Sequence, residues 1–237
     1  MSKDQAKQRF KYLLLILAIT GLPGLTWLGF WQLERAEEKR EILAQWHRTD
    51  LPQRSLNDSE LHQFDLISHR GQFDNERWIF VDNRTRDGKP GYELVGLFYA
   101  EGITQPVLVN MGWLPAPLSR DQLPSMIMPV GELTLSGRLV QPARVFQLQP
   151  QEWNRRWPAR VQNIEPHIIG QLLDGSAYPW LVRADQVLVP GLDIRWQPAV
   201  MSPEKHQGYA LQWFMLALAL AALLLYSWQQ LRQEEGE

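Results

Sequence analysis

The sequence predicts two transmembrane helices flanking a mainly β (α+β) extracytoplasmic domain, and three observations carry that prediction. Charge-free apolar stretches lie near both ends of the 237-residue chain. Between them run short segments rich in β-branched and aromatic residues, punctuated by Gly and Pro. Trp is abundant at 11 residues, and two fall inside each apolar stretch, where an amphipathic ring sits well at headgroup level.

The first stretch, Tyr12 to Leu33, has no charged residue over 22 positions. As a helix it would reach about 33 Å, enough to cross a hydrocarbon core. Gly21-Leu22-Pro23-Gly24 interrupts its centre and predicts a kink. A cleaved signal peptide is the competing reading, because Lys3, Lys7, Arg9 and Lys11 precede a short apolar core, Leu13 to Ile19. Ala18-Ile19-Thr20 is a poor cleavage site, and the apolar run continues past it. The second stretch, Tyr209 to Trp228, is Leu- and Ala-rich with aromatics at both ends. No formal charge separates His206 from Arg232.

Basic residues at the start place the N-terminus in the cytoplasm, and two spans return the C-terminus there. The expected layout is then a cytoplasmic tail at 1–11, a span at 12–33, an outer domain at 34–207, a second span at 208–229 and a cytoplasmic tail at 230–237. Charges from Glu34 to Arg40 at helical spacing extend the first helix into water, to about Trp46. Strands are expected at Trp78–Asp82, Tyr92–Tyr99, Val107–Met111, Leu133–Leu139, Val145–Leu148 and Pro179–Val182, with a short helix at Pro166–Leu173. Asp87-Gly88, with Pro90-Gly91, reverses the chain after the first strand, and Glu101-Gly102 does so before the third. Leu133, Leu135 and Leu139 share one face of their strand, opposite Thr134, Ser136 and Arg138, as a half-buried antiparallel sheet requires. The domain is therefore expected to be an antiparallel sheet or a partly closed barrel.

Several function classes drop out. A formal net charge of -2 with no long basic run gives no footprint for nucleic acid. The absence of Cys removes disulfides, thiolate metal sites and thiol catalysis. No nucleophile elbow, zinc-protease motif or phosphate loop occurs, and Asp65, Asp74, Asp82 and Asp185 are scattered among turn residues, so no enzyme is expected. Met126-Ile127-Met128, between two prolines, fits a packing loop better than a copper(I) pair. Asn154-Arg155-Arg156-Trp157 fits a surface loop near anionic headgroups.

His47, His62, His69 and His167 lie in polar surroundings without ligand spacing and are expected to be exposed or capping residues. His206 differs, because it opens the second span and shares a helix face with Tyr209, Ala210 and Trp213. Such an imidazole has two readings. It is an interfacial residue bonded to water or headgroups, or a proximal ligand to haem iron with the porphyrin packed on Tyr209 and Trp213. Trp27 and Trp31, four apart, are expected to form an aromatic cluster where the helices meet.

Three blocks resemble the surfeit locus protein 1 family of cytochrome c oxidase assembly factors. They are Gly29-Phe30-Trp31-Gln32-Leu33-Glu34-Arg35 with Lys39; Pro90-Gly91-Tyr92 followed by Val107 to Pro115, containing Asn110-Met111-Gly112-Trp113; and His206-Gln207-Gly208-Tyr209-Ala210-Leu211-Gln212-Trp213. Their order and spacing cover nearly the whole chain. Met111 stands where the family commonly has Arg, and Glu204-Lys205 precede the histidine where Asn is usual. The resemblance implies a non-enzymatic factor in the bacterial inner membrane, with a periplasmic central domain, that assists haem a insertion into oxidase subunit I. It implies haem a bound transiently through His206, with Tyr209 and Trp213 beside it. Trp31, Gln32 and Arg35 would belong to the membrane-proximal surface. The implied partners are subunit I, the haem a delivery machinery and membrane lipid. The alternatives are a scaffold that binds oxidase subunits without a cofactor, an envelope adaptor for another complex, and a membrane-anchored enzyme.

Overall fold

A computed structural model describes residues 3–117, 122–142, 156–164, 169–170, 173, 175–198 and 201–233. These divide into a helical unit built from both chain ends and a β unit, Arg48–Gln197.

In the helical unit, α1 (Lys3–Ile16) passes through one π-helical turn, Leu17–Gly21, into α2 (Leu22–His47). Pro23 has no N–H to donate, and the ladder adjusts just upstream: the Leu22 N–H reaches the Leu17 carbonyl, and the Thr20 hydroxyl donates to the Ile16 carbonyl at 2.8 Å. Just before the kink expected at Gly21–Gly24, the helix carries a widened turn, Leu17–Gly21. The helix runs past the span to His47, so the compact β unit begins at Arg48 and ends at Gln197, inside the 34–207 range expected from sequence. The second long helix, α3, covers Pro203–Gln233. Both helices are long and apolar enough to cross a bilayer.

α2 and α3 pack antiparallel along a seam of period 3.5. On α3 the buried or half-buried positions Pro203, His206, Ala210, Trp213, Ala217, Leu220 and Leu224 alternate three and four residues apart. On α2, Gly29, Gln32, Ala36, Lys39, Leu43 and Trp46 do the same. This repeat is that of a left-handed coiled coil, and its small residues let the backbones approach where lipid leaves no hydrophobic drive between helices. Gly29 is the closest approach, since a Cβ there would lie 2.4 Å from the Phe214 ring. The Phe214 ring in turn meets Phe30 edge-on at 5.3 Å.

In the β unit, β1 (Leu66–Arg86), β2 (Lys89–Ala100), β3 (Val107–Pro115), β4 (Glu132–Val140), β5 (Ala159–Val161) and β6 (Leu181–Ala184) form one sheet. The long β1 bends at an irregularity between Phe73 and Trp78. Its first half pairs with β4, its second half runs beside β2, and the circuit β1–β2–β3–β6–β4 closes on β1. The result is a ring of strands rather than a regular barrel. β3–β6 and β1–β5 are parallel and the other pairings antiparallel, so the sheet is mixed.

The Asp87-Gly88 hairpin forms as its sequence requires, with both residues at positive φ (50° and 74°) and Arg86 paired to Lys89. One face of the sheet buries Ile67, Phe80, Tyr92, Phe98, Met111, Leu135 and Leu139 in the main core. Ile79, Val81, Val95, Leu97 and Leu108 alternate with these and are equally buried on the other face. Val145–Leu148 and, within the helix expected at Pro166–Leu173, residues 166–168 and 171–172 lie outside the described residues, His167 among them; Ile169 and Gly170 are helical, and the Leu173 N–H reaches the Ile169 carbonyl at 3.2 Å.

The Gly112-Trp113 pair is structural. Gly112 sits at φ 144°, and a Cβ there would lie 2.7 Å from the Leu192 side chain. That close approach lets Trp113 and Asp193 exchange two backbone hydrogen bonds, 2.9 and 2.8 Å long. The Trp113 indole donates to the Arg84 carbonyl at 2.8 Å. Arg86 lies over both Trp113 and Trp196, and Arg183 over the other side of the network at Trp196.

Asp193 ties this network to charge. Hydrogen bonds from Arg195 first, and then from Arg86, hold its carboxyl well below the usual carboxylate range. A depressed carboxylate contributes stability that is fully present above its unfolded value, about 3.9, and is lost as pH falls toward the folded one. Asp193→Asn is expected to flatten the acid limb of the β unit's stability curve, measured by denaturant unfolding between pH 7 and pH 2. A second expectation concerns the seam: Gly29→Val should weaken helix pairing by about 1–3 kcal/mol, because the Phe214 ring must move. Thermal unfolding in detergent reads it, and an unchanged midpoint would contradict the close approach.

Candidate functional site

The site grows from the start of α3. Ser202 caps the helix, its carbonyl accepting the Lys205 N–H at 3.1 Å, and Pro203 occupies the first helical turn, where a missing N–H costs nothing. One turn on, His206 points into the seam with only 9% of its surface exposed. Its Nδ1 lies 2.7 Å from Oε1 of Gln32 on α2. Its Nε2 is buried and has no hydrogen-bond partner. A polar pair thus interrupts the apolar layers at the boundary end of the helix pair. Interhelical hydrogen bonds in bilayers are worth about 0.6 kcal/mol on average and rarely more than about 1.7, so this one contributes more to register than to stability.

The other expected site residues separate around this pair. Ala210 is buried and Trp213 half-buried in line with His206, but Tyr209, about 60° round the helix, is 44% exposed and faces away from the seam. Of the expected surface residues, Trp31 is half-buried and carries the Arg35 guanidinium over its ring at 5.5 Å. Arg35 also bonds Glu38, and Arg40 bonds Glu37. Gln32 turns inward to His206 and leaves that surface. Trp27 is 64% exposed, so the aromatic contact between the helices is Phe30 with Phe214 rather than a Trp27–Trp31 cluster. Sequence periodicity found His206, whereas Gln32 was masked by lying next to the charged run that suggested a solvated face.

Elsewhere the titratable residues have structural work. His69, expected to be exposed or capping, is 8% exposed: its Nε2 bonds the Glu101 carbonyl at 2.8 Å, and its Nδ1 accepts the Leu56 N–H at 3.3 Å. His47 and His62 are exposed, as expected. Asp74 accepts the Glu76 and Arg77 amides and pairs with the Arg77 side chain at 2.7 Å. Asp65 accepts the His62 amide, and Asp82 the Asn83 amide. Burial raises Asp185 above the ordinary carboxylate value, with Arg138 opposing the shift. Met126 and Met128 pack on the main core while Ile127 points out, the pattern of a packing loop. Arg156 is exposed and Trp157 half-buried, and Asn154 and Arg155 lie outside the described residues. Among the described residues no three His, Asp or Glu side chains converge as metal ligands.

The geometry suits one imidazole ligand. A haem iron takes a proximal histidine whose other ring nitrogen is held by a second group, and His206 with Gln32 has that form. The buried Nε2 is the ring nitrogen left without a hydrogen-bond partner.

The chain is 23% identical over 260 residues to a SURF1-like protein of Caenorhabditis briggsae, spanning 97% of this chain and 80% of the relative. It is 24% identical to the surfeit locus protein 1 of Gallus gallus and of Mus musculus, in each case over 83% of this chain and 69% of the relative. The profile of the SURF1 family matches residues 20–218, which include the β unit, all three blocks, Gln32 and His206. The chain belongs to the SURF1 family.

Proposed function

We propose that this chain is a non-enzymatic, membrane-anchored assembly factor for cytochrome c oxidase that assists the insertion of haem a into subunit I. The observation that carries the reading is the buried imidazole of His206, with Nδ1 engaged and Nε2 unpartnered, at the boundary end of a paired-helix anchor. Family membership supplies the oxidase context. When bound, haem a would supply an iron that an imidazole can ligate. His206 would ligate it, with Trp213 and the outward ring of Tyr209 beside it. A single neutral imidazole retains its ligand less firmly than a pair would, and that suits a protein that must release its cargo.

In this reading the chain lies in the bacterial inner membrane with both termini cytoplasmic. The β unit then docks on subunit I and the haem a delivery machinery from the periplasmic side, and lipid surrounds the helix pair. A specific observation favours a second reading, a cofactor-free scaffold: Nε2 has essentially no accessible surface, so ligation needs neighbouring side chains to move.

The full-length protein, produced in cells that make haem a, should co-purify with oxidase subunit I and carry haem. His206→Ala should lose the haem absorbance while keeping subunit I. Haem-free wild-type protein that still holds subunit I would establish the scaffold instead. Failure to recover any oxidase subunit would overturn both readings.

A further inference from the structure

We propose that Gln32 is a positioning residue that fixes His206 in the tautomer protonated at Nδ1 and so makes Nε2 the ligating atom. The ligand role rests on the haem reading above, whereas the tautomer does not.

The argument starts from the hydrogens on the 2.7 Å contact between Gln32 and His206. If the amide oxygen accepts, Nδ1 carries the proton and Nε2 is left as a bare lone pair. If instead the amide is turned so that its NH2 donates, Nδ1 is bare and the proton sits on Nε2, which is buried with no acceptor. Buried N–H groups without an acceptor are rarer and costlier than under-used lone pairs, so the first arrangement is the stable one.

His69 provides an internal contrast. There the Glu101 carbonyl, 2.8 Å away, accepts a hydrogen bond from Nε2–H, and Nδ1 accepts a backbone N–H, so neither nitrogen is left over. Among the described residues, the two buried histidines hold opposite tautomers, and of these the one in the helix seam keeps a lone pair with nothing to bond.

The choice of an amide at position 32 also matters. A carboxylate in its place would draw the Nδ1 proton toward itself and make the imidazole more basic. A neutral amide orients the ring and leaves it a weaker donor. Gln32 and His206 sit in matching layers of a period-3.5 seam, so the seam that aligns the helices also delivers the acceptor to the ring.

The test uses the full chain in lipid nanodiscs with 15N-labelled histidine, and haemin as the probe ligand. His206 signals are identified by their loss in His206→Ala. Wild type should show His206 protonated at Nδ1 and bare at Nε2. Gln32→Leu should give a mixture of tautomers and weaken haemin binding about 10- to 100-fold, the usual cost of losing an outer-shell partner. Gln32→Glu should restore both the Nδ1–H signal and the binding, which a merely structural role would not require. An Nε2–H tautomer in wild type, or a Gln32→Leu protein with unchanged tautomer and unchanged affinity, would overturn the inference. Haemin binding unaltered by His206→Ala would instead remove the haem reading and the ligand role of Nε2 with it.

Discussion

The anchor depends on one constraint: two helices must pair in a solvent that gives them no hydrophobic reason to do so. Shape and one hydrogen bond meet it. Gly29, Ala36, Ala210 and Ala217 keep the backbones close, and Gln32 with His206 fixes which layer faces which. A slip by one heptad would leave both polar side chains against hydrocarbon, so the pair selects the register at little gain in stability. The same bond leaves Nε2 of His206 without a partner, and the functional reading grows from that consequence.

The β unit satisfies its polar groups by closure. β1 pairs with β4, β2 and β5 along its length, and the ring it completes leaves few strand edges for its core to protect. Arg86 lies over Trp113 and Trp196, and Arg183 over Trp196; Asp193 pairs with Arg86, and Glu93 pairs with the neighbouring Arg84. The Gly112-Trp113 block of the family is thereby explained as packing.

Much of this was legible in the residues, for physical reasons that can be named. Long charge-free runs marked the helices, and Asp87-Gly88 marked the hairpin, because each is a local requirement. The strand containing Trp78 was seen at barely a quarter of its length. Among the inward positions of its first half, Ile67, His69, Gly71 and Phe73, one is a histidine and one a glycine, so apolar alternation fails although burial alternates. The strand expected from Pro179 begins at Leu181, and three-residue β5 gave no signal, since parallel pairing to β1 depends on a distant partner. At the site, the 100° rotation of helical residues found His206 and its neighbours but could not say that Tyr209 would turn outward. Nothing local in Gln32 foretold its use, because its partner lies 174 residues away.

The pairing of α2 with α3 is tested most directly by oxidative cross-linking in intact membranes, which the absence of native Cys makes unambiguous. The pair Gly29→Cys with Phe214→Cys lies across the close approach, whereas Trp27→Cys with Leu218→Cys places both thiols on exposed faces. The account requires a rapid intramolecular disulfide in the first pair and none in the second. The reverse result, or no bridge in either, would contradict the seam and the alignment of Gln32 with His206.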